Sequence, residues 1–182
     1  VTEVLTRTFA PDIEIRSGGD GRTVHGIAVP YSRPQRIHAG LTEQFARGAF
    51  AKQLTSGHRV PFTRDHQAQG GQIIGKVLEL RDDAAGLYFE ARVAKTAMGN
   101  DTLELLRDGA LDQVSIGFQE GQNRRLSGGI VERVTATLRE LSVVPEGAYG
   151  DFAVAMGVRS VQPLRLDEAR QILASLPTLL PM

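Results

Sequence analysis

The chain has 182 residues, no cysteine, and 21 basic against 21 acidic side chains. The charge balance removes any electrostatic case for nucleic acid or an anionic membrane as partner, and the missing thiols remove disulfides and cysteine catalysis. One domain with a substantial core is expected at this length. No apolar run approaches bilayer length, no segment reads as a signal peptide, and a cysteine-free chain fits a cytosolic setting.

Twenty glycines and few long helical patterns point to a β-rich fold with many turns. Leu5 and Phe9 alternate with polar neighbours in a first extended stretch that stops at Pro11, and Ile13 and Ile15 continue it. Ser17–Gly21 is a turn cluster. Thr23–Tyr31 is a strand with Ile27, Val29 and Tyr31 on one side, and Ser32–Gly40 is a loop. Phe45, Ala49, Phe50 and Leu54 fall at helical spacing, so Thr42–Ser56 is predicted as a helix ended by Gly57. Arg59–His66 reads as a strand.

Gln72–Arg81 and Leu87–Ala94 form the clearest hairpin, joined through Gly86, which suits a positive φ. Thr102–Arg107 reads as a short helix capped by Asp101, with Glu104 completing the capping box and Gly109 ending it. Leu111–Glu120 is a strand, Asn123–Gly129 a polar loop and Ile130–Val144 a further strand. Pro145–Gly150 is a turn, Phe152–Val158 a last short strand and Arg165–Leu176 an amphipathic helix. The organisation is a main domain over 1–160 followed by a C-terminal helix and tail over 161–182.

Three side chains stand out chemically. In Leu111–Phe118, Val114, Ile116 and Phe118 alternate with Gln113, Ser115 and Gly117. That pattern sets Ser115 on the open face of a half-buried strand, where a serine is commonplace, with Gly117 leaving room beside it. His66 closes the Arg59–His66 strand. The four histidines, His25, His38, His58 and His66, show no metal-ligand spacing, so no zinc site is expected. In Ile130–Val144 the inward face carries Ile130, Val134, Ala136 and Leu138, with Glu132 the exception near the start, and continuing the register puts Glu140 there too. A carboxylate so placed needs a partner. An arginine and a histidine are equally good candidates on the sequence alone. Asp65, adjacent to His66, faces the other way and more naturally bonds local backbone.

The order Gly48-Ala49-Phe50, Asp65-His66, Ile74-Gly75, Gly86-Leu87, Leu106-x-x-Gly109-x-Leu111, Ser115 and Leu138–Val144 resembles the prohead (capsid maturation) protease family of tailed phages, from about Val24 to about Val154. That family is related in fold and catalytic layout to the herpesvirus assemblins. The resemblance implies a closed or nearly closed antiparallel β-barrel with a few surrounding helices. It also implies a serine endopeptidase with Ser115 as nucleophile, His66 as general base and Glu140 as the orienting group.

Assemblins carry a second histidine where Glu140 stands. By analogy with them the turn after Glu140 supplies the oxyanion donors, here Gly147 and Ala148. The family's substrate is the scaffold, or the scaffolding segment of the major capsid protein, cleaved with the protease itself inside the assembling procapsid in the host cytoplasm. No cofactor or metal is implied, and no nucleic-acid or membrane partner. In an assemblin-like protein the C-terminal helix can also serve a homodimer. The rival reading is an inactive capsid-assembly module of the same fold, in which Ser115, His66 and Glu140 do not meet. No Gly-x-Ser-x-Gly elbow surrounds Ser115, which argues against a lipase or esterase.

Overall fold

Strand alternation builds most of this chain, in a computed structural model that describes residues 3–9, 13–15, 20–56 and 59–145. Eight strands form one sheet in the order β1 (Leu5–Phe9), β9 (Gln113–Glu120), β12 (Ala136–Val144), β6 (Pro61–Arg64), β7 (Gln72–Asp82), β8 (Gly86–Val93), β3 (Thr23–Pro30) and β2 (Glu14–Ile15). A second sheet runs β10 (Asn123–Arg125), β11 (Val131–Arg133), β5 (Leu41–Phe45) and β4 (Gln35–His38). Val114, Ile116 and Phe118 of β9 and Leu87, Phe89, Ala91 and Val93 of β8 are buried, as their alternation requires. Phe45 joins the sheets, its ring 5.1 Å from Phe118 edge-on and 5.6 Å from Phe50 in a stack.

The large sheet is curled into a half-barrel and does not close. Among the described residues β1 and β2 are its two edges and share no ladder. The outer edge of β3 is taken by the two-residue β2, so β1 approaches β3 without pairing to it. The sheet is also not wholly antiparallel: β12 runs parallel to β6.

Several local elements differ from the sequence reading, each for a local reason. Leu41–Phe45 is a strand, and only Ala51–Ser56 is helical (α1). Ladders with β11 and β4 supply the partners of its backbone, and Gly48 at φ 77° breaks any helix through the region. The Phe45, Ala49 and Phe50 side chains still reach the core through the intervening turn.

The helix after β8, α2 (Ala97–Asp108), begins earlier than predicted. Thr96, not Asp101, caps it, its hydroxyl accepting from Gly99 N at 3.0 Å, and Gly109 ends it in the left-handed region as expected. Gly86 has no positive φ; a Cβ there would lie 2.1 Å from Val29 O, so it is a close-approach glycine. The predicted Ile130–Val144 strand is two strands in different sheets, and parts of the predicted loops Ser32–Gly40 and Asn123–Gly129 form β4 and β10. Ile27 lies with His25 on the half-exposed face, opposite Val24 and Ala28, and a bulge at Ala28 brings Val29 to the buried side. Gly57, Gly147, Ala148 and the segments predicted over 146–182, including the C-terminal helix, lie outside the described residues.

Buried charge ties the two sheets together. Glu43 of β5, 2% exposed, accepts from Arg7 of β1 and from Arg133 of β11, the latter at 2.6 and 2.9 Å. Glu132 accepts from Gln44 at 2.8 Å and from Arg124 at 2.9 Å, which together hold its carboxyl below the usual carboxylate range. Removing Glu43 leaves the buried Arg7 without its carboxylate, while Arg133 keeps, among the described residues, only the Glu120 carboxylate. Glu43→Leu is expected to lose about 3–5 kcal/mol in urea unfolding, the range for breaking a buried ion pair from one side. A loss under about 1 kcal/mol would show that Arg7 and Arg133 find other partners.

Candidate active site

A strand shows successive side chains to opposite faces, so three residues can meet on one sheet face only if their registers agree. On β9, Val114, Ile116 and Phe118 take the core face, and Ser115 and Gly117 take the other. On β12, Leu138 lies opposite Phe118, on the core face. Simple alternation would send Glu140 to that same face. Instead the register slips by one at Arg139, and Glu140 lies opposite Gly117 and Ser142 opposite Ser115. This one-residue bulge turns Glu140 out of the core.

The bulge is held on both sides. The buried amide of Gln53, from α1, donates to Leu138 O at 2.8 Å and accepts from Leu138 N at 2.7 Å. Arg139 itself is exposed and donates to Gln119 Oε1 at 2.9 Å.

A second departure from regular strand delivers the histidine. β6 ends at Arg64, and Asp65 takes φ 59°, in the left-handed region that few non-glycine residues adopt. Asp65 N still bonds Val143 O at 3.0 Å, so the reversal happens while the chain is anchored to β12. His66 then points to the Ser115 face. A 3-10 turn over Gln67–Gln69 follows, and the His66 carbonyl accepts from Gln69 N and Gly71 N at 2.8 and 2.9 Å. A Cβ on Gly71 would lie 2.2 Å from Asp65 O, so only glycine closes this turn.

The three predicted side chains therefore converge. Thr8 of β1, opposite Ser115 in register, donates its hydroxyl to Ser115 Oγ at 2.8 Å. Ser115 Oγ lies 2.5 Å from His66 Nε2, and with Thr8 donating to Ser115 the serine's own proton is assigned to Nε2. Nε2 is then the acceptor nitrogen, and Nδ1 carries the ring proton. That proton goes to Glu140 Oε1, in a short contact, while Glu140 Oε2 accepts from Gln67 N at 3.4 Å. Ser142 Oγ stands 3.3 Å from Nδ1 and 2.7 Å from Thr63 Oγ1. A hydroxyl donating to a histidine whose far nitrogen is fixed by a carboxylate is the arrangement that makes an alcohol nucleophilic.

The structure corrects three details of the sequence reading. Ser115 is not on an open face: it is fully buried, and His66 and Glu140 are 5% and 6% exposed. Glu140 leaves the core face through the bulge, and of the two partners open to it on the sequence it takes the histidine. Gly117 makes room for Glu140 itself, since a Cβ there would lie 2.6 Å from Glu140 Cγ.

Thr8, Thr63, Ser142 and Gln53 were not picked out from the sequence. Hydroxyls and amides of this kind carry no pattern until the pairing of β1, β9, β12 and β6 is known. The Gly70-Gly71 pair was the one readable signal for the turn after His66. Among the described residues no group of three or more His, Cys, Asp or Glu is arranged to hold a metal ion.

The family of caudovirus prohead serine proteases matches residues 11–166. The chain belongs to that family. It is a prohead serine protease, as the contact between a serine and a carboxylate-held histidine leads one to expect. Among solved structures it is similar to the capsid assembly protease of bacteriophage T4, at 14% identity and a TM-score of 0.55. That likeness covers 79% of this chain and 98% of the T4 protein, and it supports the fold. No curated protein sequence matches the chain.

The fit between Gly117 and Glu140 gives a direct prediction for this prohead protease. Gly117→Ala adds one methyl on the Ser115 face and leaves the core neighbours Ile116 and Phe118 in place. It is expected to lower the acylation rate with p-nitrophenyl acetate by about 100-fold, the scale of a misplaced catalytic geometry. An unchanged rate would mean that Glu140 has other room to occupy.

Proposed function

We propose that Ser115 is the nucleophile, His66 the general base and then the general acid, and Glu140 the group that orients His66. The observation that carries this is the unbroken contact Ser115 Oγ–His66 Nε2, His66 Nδ1–Glu140 Oε1 among three buried side chains from separate strands and turns. The inactive-module reading requires those side chains to be apart, and the contact weighs against it.

In the first step Ser115 Oγ attacks the scissile carbonyl as its proton moves to His66 Nε2. Glu140 keeps the Nδ1 proton in place and stabilises the imidazolium. His66 then returns the proton from Nε2 to the leaving amine, and an attacking water, deprotonated by the same nitrogen, releases the acyl group from Ser115. Gly147 and Ala148, which follow β12 closely in sequence, are the proposed oxyanion donors.

The substrate is the scaffold or the scaffolding segment of the major capsid protein, and the protease also cleaves itself. The setting is the interior of a procapsid assembling in the host cytoplasm. Family membership and the arrangement of Ser115 support this reading.

Co-expression with the cognate major capsid protein, followed by intact mass, tests it. Wild type is expected to shorten the capsid protein at a defined site, and Ser115→Ala to leave it full length. Full-length capsid protein with both, in particles that assemble, would favour the inactive module. A shortened product with both would move the nucleophile elsewhere. Glu140→Gln is expected to retain the fold and lose about 10⁴-fold in kcat, as when a triad carboxylate becomes an amide that no longer selects the ring tautomer.

A further inference from the structure

Four hydroxyls lie in one row across four adjacent strands: Thr8 on β1, Ser115 on β9, Ser142 on β12 and Thr63 on β6. Ser115, Ser142 and Thr63 have no measurable exposure. The triad uses Ser115, and Thr8 orients it. Ser142 and Thr63 are left without a role, although a buried hydroxyl pair beside a catalytic ring is not neutral. Each hydroxyl has one proton to place, and where buried hydroxyls are one another's partners the placement of one constrains the next.

The placement can be followed from the ring outward. With Nε2 accepting from Ser115, the single Nδ1 proton lies toward Glu140 Oε1, and Ser142 Oγ, 3.3 Å from Nδ1, shares it as a second, weaker acceptor. The Ser142 proton then goes to Thr63 Oγ1 at 2.7 Å. The Thr63 proton goes to the carbonyl of Leu141 at 3.4 Å. Every donor in the chain points away from the histidine, and the chain ends on a backbone acceptor. The oxygen facing the ring is therefore polarised with its lone pair toward Nδ1.

Resting on the triad reading above, we infer that Ser142 and Thr63 form a polarised relay. It holds the His66 ring in its working tautomer and, with Glu140, stabilises the imidazolium formed when Ser115 gives up its proton. Both are positioning residues: Ser142 acts on the ring, and Thr63 acts only through Ser142. Among the described residues Glu140 is the one charged side chain that hydrogen-bonds His66, so a neutral second acceptor adds stabilisation without a second buried charge.

Thr63 allows a test that separates the hydroxyl from the methyl group. Thr63→Val keeps the shape and removes the hydroxyl, whereas Thr63→Ser keeps the hydroxyl and removes a buried methyl. The pre-steady-state burst with p-nitrophenyl acetate is measured for both, for Ser142→Ala and for the Thr63→Val/Ser142→Ala double variant, beside thermal unfolding. The relay predicts a loss of about tenfold for Thr63→Val and for Ser142→Ala, one hydrogen bond to a developing charge each. It predicts no further loss in the double variant, and a burst within about threefold of wild type for Thr63→Ser whatever that variant loses in stability.

Equal losses for Thr63→Val and Thr63→Ser, or none for Thr63→Val, overturn the relay. A wild type without a burst overturns the nucleophile reading instead. The relay is then decided by the His66 Nδ1 proton resonance in histidine-labelled protein. That resonance is expected to move in Ser142→Ala and Thr63→Val and to stay in place in Thr63→Ser; no movement in any variant overturns the relay.

Discussion

The period of two in a β-strand governs this protein. A sheet that buries one face in a core has only the other face on which to assemble polar chemistry, and a slip of one residue exchanges the two. Ser115 obeys the period. Glu140 and His66 do not: regular strands would point the first into the core, beside Leu138, and carry the second to the wrong side of β6. A bulge at Arg139 and a left-handed residue at Asp65 correct the two separately. Both irregularities are local departures that cost free energy and persist only when the surroundings over-determine them.

The surroundings do so. The Gln53 amide fixes the residue before the bulge through both of its backbone groups. Gly117 lacks the carbon that would exclude Glu140, and Gly71 lacks the one that would open the turn after His66. Beneath them the aromatic contacts of Phe45 with Phe50 and Phe118, and the Arg7–Glu43–Arg133 cluster, lock β1 and β9 to the second sheet. Thr8 and Ser115 belong to those two strands. The apolar core and the buried charges thus set the distance between a hydroxyl and the one that orients it.

Where apolar residues alternate, the sequence was easily read. β8 and β9 follow from Leu87–Val93 and Val114–Phe118, and the end of α2 from Gly109. The family's ordered motifs point to Ser115, His66 and Glu140. Alternation nevertheless misplaces Glu140, because a bulge is invisible to it: Leu138 and Glu140 read as one face and lie on two. The predicted Thr42–Ser56 helix failed because apolar spacing does not register ladder partners distant in sequence, which β4 and β11 provide for β5. Closure of the barrel was inherited from the family picture. It depends on edge pairing between β1 and the β2–β3 edge, for which no single stretch carries a signature.

Two breaks in strand regularity place His66 and Glu140 at Ser115. If that placement activates the serine, an alkyl fluorophosphonate reacts there, and peptide mass in wild type, His66→Ala and Gln53→Leu protein locates the adduct. Expected is a single adduct, on Ser115, that disappears without His66 and forms more slowly when the Gln53 amide no longer holds the bulge, in protein that still unfolds cooperatively. An adduct on Ser115 that forms as fast in either variant as in wild type, or an adduct on another residue of the wild type, would overturn this.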